Sequence, residues 1–538
     1  MLTLSRWIFQ ISMGITSSLY LLTKKRTLTV FSFLFLSLWS NAQNPGELYR
    51  LNAIERDFDI NLFHSRYATL PALINLANIS TFSYGRVNYF TGKGKFQHPQ
   101  DYKKISGIML STASLAAVKE TDWTLYGALE YQNSKKENVG VNLSYGINNN
   151  NSPYYFFQKQ DGLWNHQNYN FSVASANQVS DKLSLGGSLN YNANQYYRKS
   201  DTRNETIALT IAGKLSASYH LKPNHTLSLA IGTEHQKAET DLYNKFPKSG
   251  ADTEYVIYLN TGLGSFLKNI RQGANVRRSI PEVRLQWLHQ TEDGDLSIES
   301  VTKRGKEEWE DPLISRVEEN EVIARFTHTE QGVNVFYTKR YKQKHLITSM
   351  TANYFSGEGE LWEATTNNFL QNYTNQLISI NAKGDLFYQN RTINRIGLGL
   401  SFINREQSDL NYGYRYNYTI VEPEFRFGLK KSINTKLILF NELITSYRYV
   451  TDLKHDPFAA NNIFVDWIGN PTAEYLGADA FTIQHTLGLT INRPNDNLIE
   501  IDLSAFYRGV ASMPGNTQET FLTSDDYLSF DLGLSIFF

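Results

Sequence analysis

Apolar and polar residues alternate with a period of two along much of the chain. Leu183, Leu185, Leu189 and Tyr191 fall on one side of an extended segment, with Ser184, Gly186, Ser188 and Asn190 on the other. The same rhythm runs through Leu209, Ile211, Leu215 and Tyr219, and through Leu227, Leu229 and Ile231. It returns in Ile396, Leu398, Leu400 and Phe402 against Gly397, Gly399 and Ser401, and in Phe481, Ile483, Leu487, Leu489 and Ile491 against Thr482, Gln484, Thr486, Gly488 and Thr490. Period two marks a β-strand with one apolar face. The segment YLSFDLGLSIFF (527–538) sets Leu528, Phe530, Leu532, Leu534, Ile536 and Phe538 opposite Ser529, Asp531, Gly533, Ser535 and Phe537. It is longer than the roughly 5–6 residues commonest in soluble sheets and suits the about 9–11 residues of a tilted strand crossing a bilayer.

The connections between these segments alternate in length. In the C-terminal half they are short at 389–392 (QNRT), 430–435 (KKSINT) and 493–497 (RPNDN), and long at 404–415, 450–479 and 511–526. Short turns at one rim and long loops at the other are the asymmetry of outer-membrane barrels. Upstream, VSDK (179–182), KPNH (222–225) and NSKK (133–136) read as short turns, and 148–166, 193–205 and 238–253 as outer loops. That reading puts strand parity out by one between Ser80 and Asn138. The charged stretch KRGKEEWEDPLISRVEENE (303–321) reads as a solvated loop, with a constriction inside the lumen as the alternative. The expected fold is all-β: a transmembrane antiparallel β-barrel of about 20 strands, within about 18–22, over residues 80–538.

Composition agrees with a barrel whose strands face lipid on one side and water on the other. Apolar residues make up 41% and mean hydropathy is −0.40, because every second strand residue of such a barrel is polar. Aromatic residues reach 13%, with 33 Tyr and 31 Phe, as interfacial aromatic girdles require. Lys plus Arg and Asp plus Glu both number 52, so no basic footprint for nucleic acid exists. Cysteine is absent, which removes disulfides, Cys-ligated zinc and thiol catalysis.

Lys24, Lys25 and Arg26 precede the apolar run TLTVFSFLFLSLWS, and Ser40 and Ala42 then stand at the spacing read by a signal peptidase. Residues 1–42 are expected to be a secretory signal cleaved between Ala42 and Gln43, with 1–23 a long leader or an early start. Residues 43–79 are expected to form a short periplasmic or lumenal segment.

The search for catalysis is negative: no P-loop, no H-E-x-x-H and no G-x-S-x-G occurs. TEDGD (291–295) lacks the remaining ligands of a calcium loop and reads as a hairpin turn. No catalytic, cofactor or metal residue is assigned, and no enzyme activity is expected. Two aromatic groups stand out. YGYRYNYT places Tyr412, Tyr414, Tyr416 and Tyr418 on one strand face, an interfacial girdle or a ladder for stacking on sugars. SPYYFFQKQDGLW carries Tyr154, Tyr155, Phe156, Phe157 and Trp164 in a predicted outer loop, either packed over the mouth or presented to a partner.

SNAQ (40–43), the strand ladder and the ending YLSFDLGLSIFF resemble outer-membrane β-barrels of Bacteroidota. LPALINLANISTFSYGRVNYF (70–90), followed by WTLYGALEYQNSKKENVGVN (123–142), resembles an uncharacterised family of such barrels. LPALINLANI is also similar to the Asn-Pro-Ala segment of long-chain fatty-acid transporters, with Leu70 in place of the Asn. The resemblance implies a location in the outer membrane of a Gram-negative bacterium and two partners, the lipid bilayer and the barrel assembly machinery. It also implies an assembly signal in Phe530, Leu532, Leu534, Ile536 and Phe538. A channel or transporter for a small solute is the expected function, because about 20 strands enclose a water-filled lumen unless something occupies it. A non-conducting barrel whose outer loops contact a protein or glycan is the alternative.

Overall fold

The structure, a computed structural model, describes residues 70–76, 81–118, 121–144, 151–243, 256–268, 273–310, 322–363, 365–389, 392–434, 436–456, 463–493, 498–512 and 526–537. The expected signal segment with its Ala42–Gln43 junction, and Phe538, lie outside these described residues.

Eighteen strands form one antiparallel sheet in which each pairs with the barrel strands before and after it in the chain. With strands numbered β1–β21 along the chain, β1 (Phe82–Gly94) closes on β21 (Tyr527–Phe537), in register from Tyr84 opposite Phe537 to Gly94 opposite Tyr527. Closure satisfies every wall strand on both sides and leaves no edge. The other three strands, β4 (Tyr155–Phe157), β9 (Tyr258–Asn260) and β10 (Phe266–Lys268), make a small separate sheet. The barrel thus has 18 strands, at the lower end of the expected range rather than at 20. The stretches between β3 (Trp123–Val139) and β5 (Gly162–Ser180), and between β8 (His225–Tyr243) and β11 (Ala274–Thr291), hold these three-residue pieces instead of wall strands.

Side chains alternate between two environments. On β16 (Thr392–Asp409) Ile396, Leu398 and Leu400 point outward, Leu398 being 66% exposed, while Arg395 turns inward to Asp385 and Glu442. Each of the eighteen wall strands contributes at least one exposed large apolar side chain, among them Val87, Leu215, Ile231, Leu285, Phe427 and Leu532. Soluble monomers do not carry an apolar belt around their circumference. At the short-turn rim, His225, Trp287 and His289 stack on the outer face at 4.4–6.1 Å between centroids, an amphipathic edge to the belt. His485, also on this face, bonds Asn441 at 3.0 Å.

The turns at 181–182, 223–224 and 292–293 lie at the rim where β1 begins and β21 ends, and the long connections lie at the other. NSKK (133–136) is not a turn. It lies within β3 (Trp123–Val139), which runs unbroken beside β2 (Lys104–Ala117), and this single strand restores the parity. Likewise 303–310 belongs to β12 (Gly294–Glu310), and the connection expected at 193–205 shrinks to 199–202 between β6 (Leu183–Arg198) and β7 (Arg203–Lys222). Residues 311–321 of the charged stretch lie outside the described residues. These errors, and the strand residues found inside the connections expected at 148–166, 238–253, 404–415 and 450–479, have one cause: strands of up to 22 residues run past the apolar belt into water, where both faces are polar and alternation vanishes. Glu137, on the water-exposed part of β3, pairs with Lys135 at 2.8 Å and Lys104 at 3.4 Å.

Candidate functional site

The interior of the barrel is where chemistry concentrates, and the chain's own segments occupy both of its ends. At the short-turn rim the 3-10 turn Pro71–Leu76 lies against the inner face of β5 (Gly162–Ser180), β6 and β7. Leu70, Leu73 and Ile74 are buried there among Phe82, Leu115, Tyr126, Ala176 and Leu288. The Ala72 amide donates to Ser216 Oγ at 2.7 Å, and Asn75 Nδ2 to Ser184 Oγ at 3.3 Å. Gly186 is required for this approach, since a Cβ on it would stand 2.4 Å from the Ala72 nitrogen. The sequence signals of this turn were Ala72, Leu73 and Ile74 following Pro71, within the segment 43–79 expected to be periplasmic or lumenal.

At the long-loop rim, the small inner sheet and a helical segment fold inward. Tyr154 donates its hydroxyl to the Glu360 carbonyl at 2.9 Å, and Phe156 packs with Trp309, Phe326 and Tyr373 on the inner wall. Burial pushes the Tyr154 hydroxyl well above its ordinary pKa, so it stays protonated and remains a donor. Asp409 holds the β9–β10 loop by accepting from Ser265 Oγ at 2.7 Å and the Ser265 amide at 3.2 Å. The segment Val465–Gly469 and helix α1 (Asn470–Gly477) close over Tyr414, Tyr416, Tyr418 and Ile420. Gly469 permits the contact, a Cβ there meeting the Tyr414 hydroxyl at 2.8 Å.

Between the two ends lies a polar chamber of about 670 Å³. Its charges are paired along and across the wall: Lys214 with Glu282 at 2.7 Å, Arg284 with Glu282 two residues away on its own strand at 3.3 Å and with Glu299 on the next strand at 3.0 Å, and Lys303 with Glu330 at 3.2 Å. Such a wall is polar without favouring one sign of solute. Further round the inner wall Asp385 joins Arg395 and Arg426 at 2.9 and 2.6 Å.

Nearer the outer rim is a smaller cavity of about 290 Å³, with a different lining. Tyr373, Arg405, Gln407, Tyr416 and Tyr418 come from the wall strands β15 (Asn368–Gln389), β16 and β17 (Arg415–Asn434), and Tyr155, Asn151 and Asn260 from the inward loops. His98 and Gln100 enter from the 95–103 connection, and Phe464, Ile468 and Thr472 from above. His98 accepts the Gln100 amide at 3.3 Å. Burial, and secondly the Arg405 cation, lower its pKa to about 4, so His98 is neutral near pH 7. A third hollow of about 790 Å³ lies mainly over Leu110, Leu125, Gly127 and Leu189, and is an apolar dent in the outer belt.

The structure therefore brings Tyr414, Tyr416 and Tyr418 together on the inner face, buried under α1, rather than in an outward girdle. Tyr412 stays exposed in the preceding turn. The loop aromatics pack inward over the lumen, and Trp164 is buried on the inner face of β5, opposite Lys136 and Arg198 and apart from the tyrosine-lined cavity. On β21, Phe530, Leu532 and Leu534 are exposed on the outer face. Phe537, on the other face, packs on Tyr84 with ring centroids 5.7 Å apart. Arg405, Asn151, Asn260 and Gln100 were not singled out from sequence. Among the described residues, no cluster of three or more His, Asp or Glu suitable for a metal occurs.

A family described as "Family of unknown function (DUF6850)" matches residues 71–538. No curated protein matches the chain. Among solved structures it is similar to BauA, the ferric preacinetobactin receptor of Acinetobacter baumannii, at 10% identity, TM-score 0.39 and coverage of 85% of this chain and 80% of that one. It is similar to the copper transporter OprC at 9% identity, TM-score 0.37 and coverage of 84% and 80%. A mutant of the monoaromatic hydrocarbon channel TodX aligns at 11% identity, TM-score 0.30 and coverage of 87% and 92%. These likenesses concern barrel architecture and nothing finer.

Proposed function

The chain belongs to the DUF6850 family of unknown function, and from that starting point we propose that it is a gated outer-membrane transport barrel for a small solute. The apolar belt carried by all eighteen strands supports insertion in a bilayer. Strands closed in a barrel satisfy the backbone in lipid, and the paired short and long rims match a periplasmic and an outer side. A Gram-negative host of the Bacteroidota type, and delivery by the barrel assembly machinery through Phe538 and the alternating residues before it, belong to the same proposal.

One observation carries the gating: a polar chamber lies between two apolar plugs that are segments of the chain itself. An open porin has no need of buried leucines across its lumen. Among the described residues the 3-10 turn is joined to the wall by few hydrogen bonds and by no strand pairing, so it can leave without breaking the barrel, at the cost of exposing Leu70, Leu73 and Ile74, about 1.5–3 kcal/mol each.

Single-channel conductance of residues 43–538 in a planar bilayer tests this. The native protein is expected to be silent or to open rarely, and Leu73→Asp, which puts an uncompensated charge in the plug, is expected to open frequently. Large steady conductance from the native protein would replace the gated reading by an open pore. Silence in both folded proteins would favour the non-conducting binding barrel.

A further inference from the structure

We propose that the cavity of about 290 Å³ under α1 binds a hydroxylated ring bearing one carboxylate, the chemistry of a sugar acid, with Arg405 taking the carboxylate. The proposal rests on reading the lumen as a solute route and names the class of solute.

Three observations lead there. The first is charge. Arg405 donates only to amide oxygens, from Nε to Asn375 Oδ1 at 3.2 Å and from Nη2 to Asn151 Oδ1 at 2.9 Å. Among the described residues it makes no ion pair, whereas Arg284, Arg395 and Arg426 on the inner wall all hold carboxylates. A guanidinium held by neutral groups in a confined space is a site for an anion from outside the chain.

The second is unmet hydrogen bonding. The Tyr416 hydroxyl and Asn260 Oδ1, on residues that line this cavity, are buried and have no hydrogen-bond partner among the described residues. Tyr416 is 4% and Asn260 1% exposed, so bulk water does not satisfy them. Asn260 is oriented by its Nδ2, which donates to the Pro153 carbonyl at 2.6 Å and the Gly262 carbonyl at 2.7 Å. Its free atom is thus an acceptor and calls for a donor on the ligand. A ring with hydroxyls supplies one; an unsubstituted aromatic acid does not.

The third is shape. Tyr155, Tyr373, Tyr416 and Tyr418 offer ring faces and edges around the space, the surface on which the C–H faces of a sugar lie. The cavity's volume of about 290 Å³ admits one ring with its carboxylate. His98 adds no positive charge near pH 7, leaving Arg405 as the cation of the cavity.

The test is titration calorimetry on the detergent-solubilised whole mature barrel with D-galacturonate, D-galactose and benzoate. Galacturonate is expected to bind, and galactose and benzoate to bind about tenfold more weakly or worse, having lost the charge or the hydroxyls. Arg405→Gln is expected to weaken galacturonate by about tenfold or more, with Arg405→Lys intermediate. Tyr416→Phe is expected to weaken it about three- to tenfold while leaving the thermal unfolding of the barrel unchanged or raised, since its hydroxyl has no hydrogen-bond partner among the described residues. A purely structural Tyr416 would leave binding untouched. Galactose binding as tightly as galacturonate, benzoate binding more tightly, or no binding of galacturonate by a barrel whose folding is proved by its gel shift on boiling would each overturn the proposal. Binding without any conductance would keep the site and remove the transport route.

Discussion

The backbone amide of Ala72 donates to the hydroxyl of Ser216 at 2.7 Å, a bond between the start of the described chain and the inner wall of a strand 144 residues later. It makes the N-terminal turn part of the lumen and gives that turn a defined seat, with Gly186 beneath it.

Replacing Gly186 by Val removes that seat. The new Cβ would stand 2.4 Å from the Ala72 nitrogen and 2.6 Å from the Pro71 carbonyl carbon, both backbone atoms that cannot yield without moving the turn. The strand itself tolerates Val. The expected outcome is a folded barrel with more frequent openings in bilayer recordings, and cleavage near residue 70 by an added protease. Unchanged conductance would mean that the turn does not control the lumen.

Outward Leu398 reports on the bilayer. Leu398→Arg is expected to destabilise the barrel by about 2–4 kcal/mol in lipid vesicles, the cost of a cation near the midplane. Urea unfolding followed by tryptophan fluorescence measures it. A change within about 0.5 kcal/mol, as at an ordinary exposed position, would remove the lipid-facing assignment of the belt.

Asp385 accepts from Arg395 at 2.9 Å and from Arg426 at 2.6 Å and is itself buried. Asp385→Asn leaves two guanidinium groups close together with less compensation and is expected to cost on the order of 3 kcal/mol. Adding Arg426→Gln should recover part of the loss, and the recovery distinguishes the charge network from simple packing.

His98 gives the loops a pH dependence. Its pKa, lowered to about 4 by burial and then by Arg405, lies below the unfolded value of 6.5. The unfolded chain therefore binds more protons between these values, and the packing of the 95–103 connection weakens as pH falls from about 6.5 towards 4. Hydrogen exchange of this connection is expected to quicken over that window and to lose the dependence in His98→Gln. Galacturonate affinity is expected to stay flat from about pH 6.5 to 8, since His98 stays neutral over that range.

Period-two alternation in β16, β19 (Asp479–Asn492) and β21 was enough to identify wall strands, because lipid on one side and the lumen on the other impose opposite demands on successive residues. The short turns at VSDK, KPNH and TEDGD were legible for a local reason, their turn-forming residues between apolar runs. The same reasoning misread NSKK as a turn. There β3 had left the belt, and a strand with water on both faces carries no local mark of being a strand.

The candidate site divides in the same way. YGYRYNYT declared a ladder of tyrosines from its spacing alone, yet spacing cannot say whether a face meets lipid, water or protein. That was decided by α1 folding inward over Tyr414, Tyr416 and Tyr418. Arg405 drew no attention because the sequence offers many arginines, and only the register of β15, β16 and β17 separates this one from a carboxylate. Asn151, Asn260 and Gln100 lie far apart along the chain and converge because three loops turn into one barrel mouth. The sequence by itself determined wall strands with an apolar exterior, since that follows from one residue and its neighbour two places on, whereas their closure through Tyr84 opposite Phe537 was decided by the fold. The turn seated inside the lumen and the cavity beside Arg405 depend on contacts between residues more than a hundred positions apart, which only the tertiary structure decides.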